Sequence, residues 1–447
     1  MTAKRDNLVA LGPDQLADAL LELAGLHDEA DQLVEKLTAT PREKVKRFKT
    51  KLTGLKRARR FVDWREIGGF ARKLEGMLAD LEEGAPDGKT GVELVARFFE
   101  CDQAVFERCD DSSGLVGDIF RYNAPELFAR FAAGCPDKNW LGKLIIDLLD
   151  GNEYGARDNL LNSADEFLAE DDMHKLADRF WRLGKDEKGE YRRRRWYGAV
   201  EVLADHLGDG PLFEKARLAA WGEPGTAACL DIASVYLNSG EPQTALAWVM
   251  QDKNPGTFQE DKRNQLLQTI YKELDEPEKV IEIAWKRFRR CRTVNSLEEL
   301  LTVIGQEQKE SVIDEQALEI MAEKVFSTIN TEFLMTTGCI DQADEYLLQS
   351  VDQLNGDFYY SLLPLAQAME KANRNLAATM LYRALLDSIL RRARTTTYSH
   401  GIRYLKKLDT LAKAISDWQE FSSQEIYMKE IRLAHGRKHS FWRKYDT

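Results

Sequence analysis

Few side chains in this sequence have types and spacing that could carry chemistry, and the first candidates are two adjacent carboxylates. Asp110 and Asp111 are followed by two serines and a glycine, and such oxygens are ligands for hard cations such as Ca²⁺ or Mg²⁺. The alternating ligands of an EF-hand loop are absent, and Asp and Ser before Leu115 are ordinary helix-capping residues. We therefore interpret the pair as capping residues and keep both as weak metal candidates.

Two histidines near the C-terminus form a second candidate metal site. His435 and His439 are four residues apart, so on one helix they would share a face and could both bind a metal ion. Gly436 and the cations Arg437 and Lys438 argue against a metal there. We favour the basic C-terminal end of a helix, where cations interact well with the helix dipole. His435, Arg437 and Lys438 are candidate interaction residues.

Motifs for catalysis or nucleotide binding are absent from the sequence. It has no P-loop, no dinucleotide-binding glycine turn, no nucleophile elbow and no zinc-protease His-Glu-x-x-His pattern. The six cysteines include no Cys-x-x-Cys pair, which is typical of reduced thiols in the cytoplasm. We expect no cofactor. An enzyme built on the paired aspartates and the histidines remains an alternative that requires those segments to converge in a cleft.

Basic residues are concentrated between Pro41 and Arg60, where ten are basic and only Glu43 is acidic. Apolar residues recur there at helical spacing, so one face of a helix should be buried and the cations should be exposed. The whole chain carries a net charge of −12, and we expect most of these cations to pair with acidic residues of the same chain. Binding of nucleic acid is the alternative.

Further charged residues are candidates for interaction with a partner. Asp63 and Glu66 have the spacing of a capping box, and Arg60, Asp63 and Arg65 are candidate interaction residues. The run Arg192–Arg195 either contacts acidic helix ends or binds a partner, and the sequence leaves both open. All four of these arginines are also candidates: Arg192, Arg193, Arg194 and Arg195.

The elements that position these residues are predicted to be helical hairpins. Tyr236 and Tyr271 are 35 residues apart, as are the prolines that begin the next helices, Pro242 and Pro277. Gly338 and Asn373 have the same spacing, which is close to the tetratricopeptide period. Another hairpin is expected at the N-terminus, its second helix running through Leu33 and Leu37. A single hairpin cannot bury its apolar face, so hairpins must stack.

The sequence therefore predicts an all-α protein, an α-solenoid of tetratricopeptide-like or HEAT-like hairpins. We expect an N-terminal helical region at 1–183, a possible hinge at 184–195 and C-terminal repeats at 196–447. Apolar residues form 43% of the chain, and no run is long enough to span a membrane. A cytoplasmic location without membrane binding is expected.

Five stretches of sequence occur together in one order along nearly the whole chain. They are Arg60–Glu66, Asp110–Gly114, Tyr154–Asp158, Tyr382–Leu386 and His435–Trp442. Together they resemble an uncharacterised bacterial all-helical family of unknown function, related in its helical region to proteins with a SWIM zinc finger. The resemblance implies a helical-repeat fold and no settled activity. The zinc-finger cysteine and histidine signature is missing here.

Three functions are compatible with these observations. The leading hypothesis is a non-enzymatic scaffold that binds a protein or peptide partner, because stacked hairpins create a long concave surface. The second is a nucleic-acid-associated protein that uses the basic helices. The third is a metal-dependent enzyme of unknown reaction. Since function depends on sites and not on scaffolds, the fold alone does not choose among them.

Overall fold

The computed structural model describes residues 2–27, 30, 34, 35, 37–251 and 256–446. The chain divides into two compact units, Met1–Pro255 and Gly256–Thr447. The segment 184–195, predicted as a possible hinge, lies inside the first unit, where it joins two long helices. Leu33 of the predicted N-terminal hairpin lies outside the described residues.

The first unit contains fifteen described α-helices, which we number in chain order. They are α1 (Thr2–Ala10), α2 (Pro13–Leu26), α3 (Pro41–Arg57), α4 (Ile67–Gly84), α5 (Gly88–Phe99), α6 (Asp102–Phe106), α7 (Leu115–Asp118), α8 (Ala124–Ala133), α9 (Lys138–Asp150), α10 (Ala164–Phe167), α11 (Glu170–Asp186), α12 (Glu190–Leu207), α13 (Gly210–Trp221), α14 (Thr226–Asn238) and α15 (Pro242–Gln251). A π-helical turn, Ile119–Asn123, joins α7 to α8, and a 3₁₀ turn, Asp158–Leu161, precedes α10.

The second unit continues the series with eleven described α-helices. They are α16 (Thr257–Glu273), α17 (Pro277–Arg290), α18 (Val294–Ile304), α19 (Lys309–Ala322), α20 (Thr328–Thr336), α21 (Ile340–Gln349), α22 (Tyr359–Lys371), α23 (Asn375–Arg392), α24 (Tyr398–Leu411), α25 (Gln424–His435) and α26 (His439–Tyr445). Short 3₁₀ turns precede α19, α22 and α24, and another follows α24.

Helices that follow one another in sequence pack side by side within each unit, for example α11 on α12 and α22 on α23. Among the described residues there is no β-strand, and the one isolated β-bridge joins Val62 to Cys109 in parallel. The predicted all-α helical-repeat solenoid is therefore confirmed. No described helix is both long and apolar enough to cross a membrane.

The turns between the repeat helices explain the 35-residue spacing. Gly240, Asp275, Gly338 and Asn373 all have positive φ angles, of 78°, 56°, 91° and 58°. A residue in this left-handed conformation lets the chain leave one helix and enter the next, and Gly and Asn tolerate it best. The alanine predicted to lie at a helix crossing, Ala245, is fully buried.

Candidate binding groove in the second unit

Asp110 and Asp111 lie in the turn before α7, where they bind backbone N–H groups. Asp111 accepts hydrogen bonds from the N–H groups of Val116 at 2.9 Å and Gly117 at 2.7 Å. Asp110 accepts one from Ser112 at 3.2 Å. The first turn of a helix has donors without intrahelical partners, and Asp111 satisfies two of them. Asp111 therefore caps α7 as expected, whereas Asp110 bonds only within the turn, and the absence of a bound metal ion at the pair stays a prediction.

His435 and His439 belong to two different helices. His435 is the last residue of α25, His439 is the first of α26, and the chain changes direction at Gly436–Lys438. The idea that the two histidines share one helix face is therefore wrong. Burial lowers the pKa of His435, and the nearby charge of Lys438 lowers it further. Arg437 is exposed in the intervening turn.

The predicted capping box of Asp63 and Glu66 is also wrong. Asp63 accepts a hydrogen bond from the backbone N–H of Arg65 at 2.7 Å, in a turn, and α4 begins only at Ile67 without a side-chain cap. After the β-bridge at Val62, the N–H of Glu66 donates to the carbonyl of Asp63 at 3.0 Å and closes a separate turn. The helix begins only after this turn, so Asp63 is too far upstream to be its N-cap.

Arg60 and Arg65 stay at the surface beside this turn. Arg60 forms an ion pair with Glu66, and the Arg65 guanidinium lies 4.9 Å from the centre of the Trp64 ring. Both arginines are exposed.

The arginines of Arg192–Arg195 contact the end of another helix. Arg195 donates hydrogen bonds of 2.9 Å to the carbonyls of Leu149 and Asp150, at the C-terminus of α9. Carbonyls in the last turn of a helix have no intrahelical donor, so Arg195 satisfies them. Arg192 forms an ion pair with the Asp150 carboxylate.

The two middle arginines of this run also face the protein. Arg194 forms an ion pair with Glu190 and lies 4.1 Å from the centre of the Trp221 ring. Arg193 is half-buried. Arg192, Arg194 and Arg195 thus contact helix ends of the same unit, and binding of a partner by this run stays a prediction.

Five of the ten basic residues between Pro41 and Arg60 form ion pairs with acidic residues that the structure describes, so the expectation that most of them would do so is wrong. Asp80 is buried and accepts hydrogen bonds from Arg47 at 2.8 Å and Lys51 at 3.1 Å. Burial alone would raise the pKa of Asp80, but these two hydrogen bonds outweigh it and lower the pKa. Two further pairs join this helix to its surroundings: Lys44 with Glu83 and Lys56 with Glu100.

A concave surface of the second unit lies along α23, where the loop before α22 rests on that helix. A Cβ atom added at Gly356 would lie 1.9 Å from the Ala384 carbonyl oxygen, so only glycine permits this approach. Asp357 accepts hydrogen bonds from Ser388 and from Arg391 at 2.9 Å. The Ser388 hydroxyl, followed by the Arg392 guanidinium, lowers the pKa of Asp357 to about 2.

Two adjoining cavities flank this loop and share Gly356 and Ser388, and together we call them the α23 groove. The first cavity has a volume of about 540 Å³ and both acidic and basic walls. Its Arg383 is 7% exposed, donates to the Ser422 carbonyl at 2.8 Å and lies 4.3 Å from the Tyr427 ring centre. Tyr427 donates a 2.6 Å hydrogen bond to Asp387. The polar groups of this cavity largely bind one another.

The second cavity has a volume of about 320 Å³ and different walls. Its apolar and aromatic lining residues are Tyr359, Leu385, Ile389 and Tyr404, and its basic lining residues are Arg392, Arg394 and His400. No carboxylate is among its described lining residues, but Arg392 is paired with Asp357 of the first cavity. Arg394 is exposed and forms no ion pair with any described residue.

Tyr359 lines the second cavity and is the middle one of three consecutive exposed aromatic residues. Phe358, Tyr359 and Tyr360 are 52%, 61% and 68% exposed, and the rings of Tyr359 and Tyr360 are 5.9 Å apart. Exposed aromatic residues in a cluster are typical of interaction sites. The sequence analysis missed this site, although a glycine turn followed by three aromatic residues was a usable signal.

The fold places the chain among all-α helical-repeat proteins. The model of a family of unknown function, DUF6880, matches residues 1–205 and 184–444. The chain therefore belongs to this family. No curated protein matches it.

Proposed function

We propose that this protein is a non-enzymatic helical-repeat scaffold that binds another protein through the α23 groove. The observation that carries this proposal is the second cavity, where apolar walls adjoin Arg394, a cation that forms no ion pair with any described residue, whereas its neighbour Arg392 is paired with Asp357. A ligand with complementary chemistry has an apolar side chain next to a carboxylate. An extended acidic segment of a partner protein offers both.

The apolar residues and the cation of the second cavity contribute to recognition in different ways. The walls formed by Leu385, Ile389 and Tyr404 remove an apolar side chain from water, which stabilises the complex by about 25 cal/mol per Å² of buried apolar area. Arg394 binds the neighbouring carboxylate and supplies orientation, because guanidinium and carboxylate groups match in geometry. Tyr359, which also lines this cavity, covers the segment at a small cost in side-chain entropy.

The proposal also includes the setting in which the scaffold works. We infer a bacterial cytoplasmic protein whose hairpins are of the tetratricopeptide-like or HEAT-like kind. We further propose the relation of its helical region to proteins with a SWIM zinc finger. The 35-residue spacing of the left-handed turns supports the tetratricopeptide-like type.

A peptide selection tests the proposed function. Random peptides displayed on phage are selected on the immobilised full-length protein and the enriched peptides are measured by isothermal titration. We expect enriched sequences to combine an apolar residue with Asp or Glu. Their affinity should fall at least tenfold in Arg394→Glu and in Tyr359→Ala, since one loses the anion contact and the other the aromatic cover.

A charge-matched control separates the groove from general electrostatics. Lys413 is exposed in the same unit and has no ion pair with a described residue, so Lys413→Glu changes the net charge as Arg394→Glu does. It should bind the selected peptides as the wild type does. Peptides that lack acidic residues, or that bind both variants equally, would show that the α23 groove is not the binding site.

A further inference from the structure

The face of α3 that points away from α4 carries a row of cations without partners. Arg42, Lys46, Lys49 and Arg57 are spaced so that they lie along one side of the helix. All four are exposed, and none forms an ion pair with any residue that the structure describes. Together with Arg59, which follows the helix and is also exposed, we call them the outer stripe.

Three carboxylates next to α3 are already paired with other cations of this helix. Asp80 forms ion pairs with Arg47 and Lys51. Glu83 pairs with Lys44, and Glu100 pairs with Lys56. Glu43 accepts hydrogen bonds from the backbone N–H and the hydroxyl of Thr40 in a capping box. The outer stripe is therefore a positive surface that forms no ion pair with any described residue, although the Glu43 carboxylate offsets part of its charge near Lys46.

Two exposed aromatic rings follow the outer stripe in the chain. Phe61 is 56% exposed and Trp64 is 59% exposed. The bridge between Val62 and Cys109 fixes the backbone between them. Arg65 lies 4.9 Å from the Trp64 ring centre and adds another cation at this end.

We infer that this surface binds single-stranded nucleic acid, with phosphates along the outer stripe and bases stacked on Phe61 and Trp64. Sequence-tolerant binding of single strands combines a row of cations with aromatic stacking platforms. From Arg42 to Arg57 the helix rises by about 22 Å at 1.5 Å per residue. That length accommodates several phosphates, spaced at about 3.4 Å in a stacked strand.

The exposed rings favour a single strand over the two other polyanions that a cationic helix attracts. In a duplex the bases are stacked on each other and leave no face for Phe61 or Trp64. A membrane surface would need an apolar helix face to insert, but Phe48, Leu52 and Leu55 of α3 are buried in the core of the first unit.

Fluorescence anisotropy with labelled oligo(dT) and oligo(U) of about 20 nucleotides tests the inference on the full-length protein. We expect a Kd below about 10⁻⁵ M in low salt, and a slope of log K against log salt of about −3.5, since about five cations contribute about 0.7 each. Preference for one oligomer distinguishes RNA from DNA. Lys46→Glu, Lys49→Glu and Arg57→Glu combined should weaken binding at least tenfold. Phe61→Ala with Trp64→Ala should weaken it by about tenfold while preserving the salt slope.

A matched control changes the same charge elsewhere in the first unit. Lys143, Lys185 and Lys188 are exposed and form no ion pair with a described residue, so their combined reversal to Glu should leave binding unchanged. Equal weakening in this control would overturn the inference, as would a Kd above about 10⁻⁴ M. Tighter binding to phosphatidylserine vesicles than to either oligomer, lost in the stripe variant, would also overturn it. Circular dichroism melting confirms that each variant is folded.

Discussion

The two cavities of the α23 groove lie side by side and share Gly356 and Ser388, yet their charged groups behave differently. In the first cavity, Asp357 binds Arg391 and Asp387 binds Tyr427, so acidic and polar groups of the protein bind one another. In the second cavity, Arg394 has no carboxylate partner among the described residues. The contacts of Asp357 and Asp387 stabilise the groove, whereas the guanidinium of Arg394 is available to a ligand.

The comparison of the two cavities indicates that a charged side chain in the groove is available to a ligand only when no other residue of the protein already binds it. Partial desolvation raises the pKa of Asp387, and burial raises the pKa of Tyr427 well above its usual value. Tyr427 therefore stays protonated and continues to donate to Asp387 around neutral pH. Substitutions in the first cavity should reduce stability, and those in the second should reduce binding.

The largest effect on stability is expected from Gly356→Ala. The new methyl group would lie 1.9 Å from the Ala384 carbonyl oxygen, so the loop must move away from α23 at a cost of about 3 kcal/mol. Urea denaturation measures this free energy of unfolding. Gly198→Ala is the control, because a Cβ there meets no atom within 4 Å and alanine is favoured inside a helix by about 0.5–1 kcal/mol. Equal effects of the two substitutions would show that the loop does not pack as described.

Arg383→Met should have the next largest effect on stability. It keeps much of the side-chain volume but removes the hydrogen bond to the Ser422 carbonyl and the contact with the Tyr427 ring. Loss of a charged donor to a buried acceptor costs about 2 kcal/mol. The free energy of unfolding from urea titration tests this value. A free energy of unfolding equal to that of the wild type would mean that the Arg383 side chain does not stabilise the first cavity.

The lowered pKa of Asp357, whose carboxylate binds Ser388 and Arg391 of α23, predicts how the free energy of unfolding should depend on pH. Its pKa is about 2 in the folded protein and about 3.9 in an unfolded chain. Its stabilising contribution is therefore complete above about pH 4 and is lost as the pH falls through about 2. The difference in unfolding free energy between wild type and Asp357→Asn should shrink from pH 6 to pH 3. A constant difference over this range would contradict the role of the Asp357 charge.

The smallest effect on stability is expected in the second cavity. Arg394 is exposed and has no ion pair to lose, so Arg394→Glu should change the unfolding free energy by less than about 0.5 kcal/mol. The same substitution should weaken the binding of acidic peptides at least tenfold. Urea denaturation and isothermal titration on one preparation measure both. A large loss of stability would show that Arg394 stabilises the fold, as the charged residues of the first cavity do.

The sequence was sufficient for the features that depend on local periodicity. The spacing of Pro242 and Pro277 predicted the hairpins, and the position of Asp111 before Leu115 predicted its capping role. These features depend on backbone preferences within a few residues, which recur in many folds.

The sequence could not predict features that depend on contacts between distant segments. Arg47 and Lys49 are two residues apart on α3, but one binds Asp80 and the other faces away from it, because successive helical residues point in different directions. The α23 groove likewise joins Gly356 to Ser388 and His400. Only the packing of α22, α23 and α24 brings these residues together.

A double-mutant cycle tests the central claim that Arg394 binds a ligand carboxylate in the second cavity. The affinity of a selected acidic peptide and of its amide analogue, with Asp or Glu replaced by Asn or Gln, is measured by isothermal titration. Both peptides are titrated into the wild type and into Arg394→Met. We expect the amide replacement to weaken binding to the wild type at least tenfold and to change binding to the variant little. The same loss with both proteins would contradict a direct contact between Arg394 and the carboxylate.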